Sequence, residues 1–120
     1  MKRRIFGFLV VLIFAIISFA GVSMASQQLK NSEVCMMNNK YFGKDQIPVE
    51  VEGKTYYGCC QGCKTTLKEN HSARASKDPY TGEDVDKADA YIVKKSSESD
   101  EVYYFKSAET YESFLKKHAQ

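Results

Sequence analysis

The chain has 120 residues, with 17 lysines and arginines against 15 aspartates and glutamates, so its formal charge is +2. This length allows one small domain or two very small ones. Three of the basic residues stand at the N-terminus, and without them the count is 14 basic against 15 acidic residues. The rest of the chain therefore lacks the electrostatic footprint of a nucleic-acid-binding protein, and we expect no nucleic-acid partner.

The N-terminal 25 residues have the pattern of a secretory signal peptide. Basic residues at 2–4 precede an apolar run over 5–20 without any acidic residue, and small side chains follow at Ser23 and Ala25. This order of a basic segment, an apolar segment and two small residues is typical of exported proteins. The sequence predicts cleavage after Ala25. An uncleaved membrane anchor is the alternative, because the run approaches the length that spans a bilayer.

Export also sets the expected location and the limits of the mature chain. Residues 26–120 are predicted to form a periplasmic protein; an extracellular protein, or one anchored by the uncleaved segment, is the alternative. Contact with a membrane is expected only through that segment. Residues 26–33 are mostly polar and are predicted to be a linker.

The first predicted unit spans 34–75. Apolar residues over 47–51 alternate with proline and glutamate, which is the period of a half-buried strand, and 55–57 is predicted to return as the second strand of a hairpin. A short helix is expected over about 61–70, with Cys63 in its first turn. The predicted order is a knuckle, a hairpin and a helix.

The second predicted unit spans 76–120. Turn residues over 78–82 come before strands at 91–93 and 102–105, and Ser107 is a suitable N-cap for a final helix. The order of elements is the same as in the first unit. The sequence therefore predicts an α+β fold of two small treble-clef-like repeats, each a knuckle, a β-hairpin and a helix, after the signal peptide.

The second unit also contains an acid-rich stretch over 83–89. This stretch lacks the glycine and the terminal glutamate of an EF-hand calcium loop, so we predict a solvated loop there. The unit has no cysteine. It is predicted to be a degenerate copy that supports the first unit.

The chemistry of the chain lies in Cys35, Cys59, Cys60 and Cys63, which all fall in the first unit. A hairpin between the first thiol and the later ones brings a knuckle cysteine to thiols at a helix N-terminus, as in treble-clef-like metal sites. The helix end favours the thiolate of Cys63 through its unpaired N–H groups and its dipole. Thiolates of Cys35, Cys59 and Cys63 are predicted to bind one thiophilic ion, and Cys60 is either a fourth ligand or a spare thiol.

The fourth ligand stays open among Cys60, Met36, Met37, His71 and solvent. His71 follows Cys63 by eight positions, and a helix would carry it roughly 12 Å from that thiol. Thiolate with thioether selects Cu(I), whereas three thiolates with one nitrogen or oxygen donor suit Zn(II). We expect one copper or zinc ion per chain.

Motifs in both units match one known kind of module. Cys35 and the run over 52–63 stand in the first unit; the Asp-Pro-x-x-Gly pattern at 78–82 and a Tyr-Tyr-Phe-x-Ser pattern at 103–107 stand in the second. These residues resemble the TRASH/YHS family of small metal-binding modules, with Lys106 at the place of a metal-binding cysteine in the second unit.

The resemblance covers nearly all of residues 33–118. It implies a role in heavy-metal sensing, trafficking or resistance, with Cys35, Cys59 and Cys63 as the ligands. The chain departs from the family pattern in a slightly longer first spacer and in the additional thiol of Cys60.

Two other interpretations of the cysteines stay open. In an oxidising compartment, four cysteines can form two disulfides that stabilise an exported binding or interaction domain. A thiol–disulfide redox protein fits the Cys-x-x-Cys pattern of Cys60 and Cys63 at a helix start, although the βαβ core of a thioredoxin-like domain is not predicted.

No catalytic constellation and no phosphate-binding loop occurs in the sequence, so the protein is not expected to be an enzyme. The expected partners are the metal ion and a membrane metal transporter or another exported metal carrier.

Overall fold

A computed structural model describes residues 27–119. The predicted signal peptide over 1–25, with its cleavage after Ala25, lies outside these residues. Within the described part of the chain, neither α-helix has the length and apolar character that crossing a membrane requires.

The first half of the described chain contains two antiparallel strand pairs and a helix, namely β1 (Val34–Cys35), β2 (Lys40–Tyr41), β3 (Ile47–Val51), β4 (Lys54–Gly58) and α1 (Gln61–Glu69). Glu52 and Gly53 connect β3 to β4 with φ angles of 53° and 80°. Positive φ at both central residues is the conformation that a two-residue type I′ hairpin turn requires. The predicted hairpin and helix are present.

The second half follows with two further antiparallel pairs and a second helix, namely β5 (Ala75–Lys77), β6 (Asp84–Asp86), β7 (Tyr91–Lys94), β8 (Val102–Phe105) and α2 (Ala108–His118). Ser107 is the N-cap of α2 and forms a capping box with Thr110. Each side chain satisfies a backbone N–H that the helix leaves unpaired. The structure is therefore a small α+β domain, as predicted.

The predicted solvated loop over 83–89 is wrong. Asp84–Asp86 forms a strand that pairs with Ala75–Lys77, and Val85 and Lys87 are buried. Within the strand Val85 alternates with two aspartates, so a single apolar residue faces the interior. One apolar residue among acids is too short a pattern to distinguish a strand from a loop.

A single apolar core joins the two halves. It contains buried side chains from both halves of the described chain, namely Val34, Met36, Val49, Tyr56, Leu67, Val85, Ala90, Ile92, Val102 and Tyr104. Backbone hydrogen bonds between the halves reinforce it: the Tyr41 N–H donates to the Asp100 carbonyl at 2.8 Å, and the Val102 N–H donates to the Asn39 carbonyl at 3.1 Å. The first half is thus held against the second.

The residues just before β1 contact the second half as well. The Leu29 N–H donates to the Ile92 carbonyl at 2.8 Å. The Asn31 side chain donates to the Ala88 carbonyl at 3.3 Å. These contacts fix the approach of the chain to the strand that ends at Cys35.

Arg74 fixes the end of α1. Its Nη1 donates to the carbonyls of Leu67 and Lys68 at 2.8 and 3.2 Å, and its guanidinium lies 5.8 Å from the centre of the Tyr56 ring. The last carbonyls of a helix have no partner within the helix, so a buried arginine satisfies them and complements the negative end of the helix dipole.

Candidate metal centre

Three elements bring Cys35, Cys59 and Cys63 together. Cys35 is the last residue of β1, Cys59 directly follows β4, and Cys63 lies in the first turn of α1. The Met36 N–H donates to the Tyr57 carbonyl at 2.8 Å, which ties the residue after Cys35 to β4. The three sulfur atoms all lie within 4.8 Å of one another. The structure therefore assembles the three thiols that the sequence singled out.

Gly58 makes the close approach of α1 to β4 possible. A Cβ atom at this position would lie 3.0 Å from the Cβ of Cys63 and 3.3 Å from its carbonyl carbon. The first of these contacts is tighter than nearly all Cβ contacts in proteins, so the first turn of α1 would have to move by a few tenths of an ångström. A glycine here therefore sets the position of the Cys63 sulfur beside that of Cys59.

Asn38 holds two of the thiols from the turn after β1. Its backbone N–H donates to the Cys35 sulfur at 3.5 Å, and its side-chain Nδ2 donates to the Cys59 sulfur at 3.2 Å. Sequence reasoning missed this residue. Its position three residues after Cys35 is the available signal, because the backbone N–H groups of a tight turn point toward the residue that begins it.

Cys60 lies beside the three thiols and caps α1. Its sulfur accepts the Cys63 N–H at 3.3 Å and lies 3.3 Å from the Cys63 sulfur, and the side chain is exposed. The set of three mutually close sulfurs does not include it. In this structure Cys60 therefore acts as the N-cap of the helix that carries Cys63.

The surroundings separate the pKa values of the thiols. Burial opposes the thiolate of Cys35, but hydrogen bonds from the Asn38 N–H and the Cys59 thiol outweigh it and lower the pKa of Cys35. Donation to Cys35, together with partial burial, raises the pKa of Cys59. Burial and the adjacent thiols of Cys60 and Cys59 raise the pKa of Cys63 to about 12. Cys35 is accordingly the thiol of the three that loses its proton first.

Met36, Met37 and His71 were the other candidates for a fourth ligand. Met36 is fully buried in the core, whereas Met37 is 38% exposed. His71 lines a cavity together with Tyr56 and Arg74, on a part of the surface where none of the lining residues is a cysteine. Among the described residues, the group of mutually close histidine, cysteine and carboxylate side chains does not include His71.

The second half has a polar cluster where the first half has thiols. Asp78 is buried and accepts the Lys106 N–H at 2.8 Å and the Thr81 N–H at 3.0 Å. It also receives a hydrogen bond from the Thr110 side chain. Lys106 and Thr110 stand one residue before the N-cap of α2 and in its first turn, the places that Cys59 and Cys63 occupy relative to α1.

All four cysteines are free thiols in the structure, so the alternative of a disulfide framework is not formed in it. Comparison of the chain with protein-family models, with curated proteins and with solved structures gives no match. The candidate site therefore stands on its own geometry: three sulfur donors around one point, two of them buried and Cys59 open to solvent.

Proposed function

We propose that the protein is an exported metal-binding protein that holds one copper or zinc ion on Cys35, Cys59 and Cys63. The observation that carries the proposal is the convergence of their sulfurs within 4.8 Å. Sulfur ligands of one ion lie about 4 Å apart when each metal–sulfur bond is about 2.3 Å. The cluster therefore needs only small side-chain adjustments to surround an ion.

The donor set bears on which ion is bound. Sulfur is a soft donor that selects Cu(I), Zn(II) and related thiophilic ions over hard cations such as calcium and magnesium. Three thiolates satisfy Cu(I), whereas Zn(II) takes a fourth donor. Cys59 is exposed, so the fourth donor for Zn(II) would reach the ion from this side. It would come from Cys60, from solvent or from a side chain of a partner.

The open side of the cluster also suits transfer of the ion. Cys35 and Cys63 are buried, while Cys59 is exposed. A partner with its own thiol ligands, such as a membrane metal transporter or another exported carrier, would reach the ion from this side. The role we propose is the trafficking, buffering or sensing of a thiophilic ion, or resistance to it, outside the cytoplasm.

We further propose that 34–75 is a TRASH/YHS-like unit and that 76–120 is a degenerate copy of it. Two observations support this. Both halves contain a strand pair, a hairpin and a helix in that order. Asp78 forms hydrogen bonds with Lys106 and Thr110, and at the corresponding places of the first half Cys35 lies close to Cys59 and Cys63. In the second half, hydrogen bonds hold together the elements that the thiols and their ion hold in the first.

The test is metal stoichiometry by native mass spectrometry of protein purified without oxygen. We expect one copper or zinc ion per wild-type chain, and four alkylatable thiols after the metal is removed. Cys59→Ser should lose stoichiometric metal, and the matched variant Cys60→Ser should keep it. Lys106→Ala, in the second half, should also keep it.

Two results would contradict the proposal. Metal-free wild-type protein with two disulfides would make the cysteines a structural framework. Equal metal content in Cys59→Ser and Lys106→Ala would remove the assignment of the site to the first half.

A further inference from the structure

Lys87 is a buried cation with no carboxylate partner in the described part of the chain. Its side chain is in the interior, with a residue exposure of 5%. The ammonium donates to the Met36 carbonyl at 2.7 Å and to Asn39 Oδ1 at 2.9 Å, and it lies 5.1 Å from the centre of the Tyr104 ring. None of the ion pairs among residues 27–119 includes it.

Burying such a charge is costly unless another charge compensates for it. The carbonyl that accepts from Lys87 belongs to Met36, the residue after Cys35. Burial lowers the pKa of Lys87 to about 8, and the charge of Cys35 opposes this by raising it. Because the ammonium donates to the carbonyl of the residue that follows Cys35, it lies close to this cysteine, although the two come from different halves of the molecule.

We propose that the positive charge of Lys87 stabilises the anionic metal–thiolate complex and so sets how strongly the centre prefers Cu(I) to Zn(II). This inference rests on the proposed function. It assigns to the cysteine-free half an electrostatic role at the metal centre, in addition to its packing against the first half.

The preference follows from the charge of the occupied site. Three thiolates with Cu(I) carry a net charge of −2, and three thiolates with Zn(II) carry −1. With a neutral fourth donor on zinc, such as solvent, the two complexes differ by one unit of charge whatever the protonation of the three thiols before binding. A positive charge nearby therefore favours the copper complex over the zinc complex, on the order of tenfold for an interaction through the protein interior.

The experiment measures dissociation constants for Cu(I) and Zn(II) by competition with chelators of known affinity, at pH 7 and without oxygen. Lys87→Gln removes the charge but keeps a hydrogen-bond donor. We expect its affinity for Cu(I) to fall about tenfold further than its affinity for Zn(II). Lys87→Arg, which keeps the charge, should restore the wild-type ratio of the two affinities.

Lys87→Arg separates an electrostatic role from a structural one, because it keeps the positive charge while it changes the shape of the buried side chain. Equal losses for Cu(I) and Zn(II), or no loss, would overturn the inference and leave the proposed function standing. A wild-type protein that binds neither ion would remove the proposed function and the inference with it.

Two further variants complete the design. Lys87→Met is a second neutral variant whose apolar side chain suits the buried position, and it decides the question if Lys87→Gln does not fold. Lys95→Gln removes an exposed lysine that pairs with Glu101 at 3.5 Å. A change in the affinity ratio of Lys95→Gln as large as that of the Lys87 variants would also overturn the inference.

Discussion

The buried carboxylate of Asp78 accepts a 2.8 Å hydrogen bond from the backbone N–H of Lys106. It also accepts the N–H groups of Tyr80 and Thr81 at 2.7 and 3.0 Å. One side chain thus closes the turn between β5 and β6 and joins it to the segment that leads into α2. In the second half this carboxylate joins the β5–β6 turn to the start of α2, whereas in the first half three thiols meet at the corresponding place.

Asp78→Ala should destabilise the protein strongly. The substitution leaves three backbone N–H groups without their acceptor, and we expect a loss of roughly 2–4 kcal/mol in the free energy of unfolding. Urea denaturation of the metal-free protein followed by circular dichroism measures it. The control is Asp84→Ala, which removes an exposed carboxylate that forms an ion pair with the exposed Lys77 and should change little. Equal effects of the two substitutions would contradict the role of Asp78.

Stability should fall in acid because the pKa values of two carboxyls are lowered by folding. Burial opposes the Asp78 carboxylate, but donors led by the Lys106 N–H outweigh it; for Asp86 the Tyr56 hydroxyl and Lys54 do the same. A carboxyl whose pKa is lower in the folded state stabilises the protein above its unfolded pKa of about 3.9, and this stabilisation is lost as the pH falls through the folded pKa.

These two carboxyls should therefore cause no change in the urea midpoint of the metal-free protein near neutral pH. Below about pH 5 they should cause the midpoint to decrease. The variant Asp78→Asn cannot titrate at this position, so its midpoint should decrease less steeply over the same range. Identical slopes for the variant and the wild type would show that Asp78 does not contribute to the acid sensitivity.

Gly58→Ala should displace the helix that carries Cys63. The added methyl would lie 3.0 Å from the Cys63 Cβ, so either α1 or the end of β4 must shift. We expect lower thermal stability and weaker metal binding. The matched control is Gly62→Ala, because a Cβ at Gly62 meets only the Cys60 sulfur, at 3.8 Å, and alanine favours the helix. Thermal melts and metal titration of both variants compare them; a tolerated alanine at position 58 would contradict the close approach.

Cys60→Ser should keep or improve the stability of the metal-free protein, whereas Cys60→Ala should reduce it. Cys60 caps α1 by accepting the Cys63 N–H, and serine is a preferred N-cap that can accept the same hydrogen bond. Loss of a cap in the alanine variant should cost about 1 kcal/mol. Chemical denaturation under reducing conditions measures both variants. If alanine were as stable as serine, the cap would contribute nothing.

Local patterns predict the hairpins and helices because their causes are local. The alternation over 47–51 and the N-cap at Ser107 each depend on residues within a few positions of one another. The spacing of Cys35, Cys59 and Cys63 was also sufficient to predict that they converge, since a hairpin and a helix start account for the whole distance between them.

Other features depend on contacts between distant parts of the chain, and no short pattern reveals them. Lys87 stands among acidic residues in the sequence, yet its ammonium is buried against a carbonyl 51 positions away. The bond from the Asn38 side chain to Cys59, 21 positions away, was missed for the same reason. Arg74 was missed although its partner carbonyls lie only 7 and 6 positions before it, because a surface-type cation gives no sign that it will be buried. Composition alone would place all three on the surface.

The Asn39 side chain accepts hydrogen bonds from Lys87 and from the Tyr104 hydroxyl, which stands 65 positions further along the chain. A polypeptide is synthesised from its N-terminus, and contacts between such distant positions form slowly. The turn that follows Cys35 therefore lacks its partners until β8 has been made. Cys35, near the start of the folded chain, thus acquires its complete surroundings only after the second half of the chain is present.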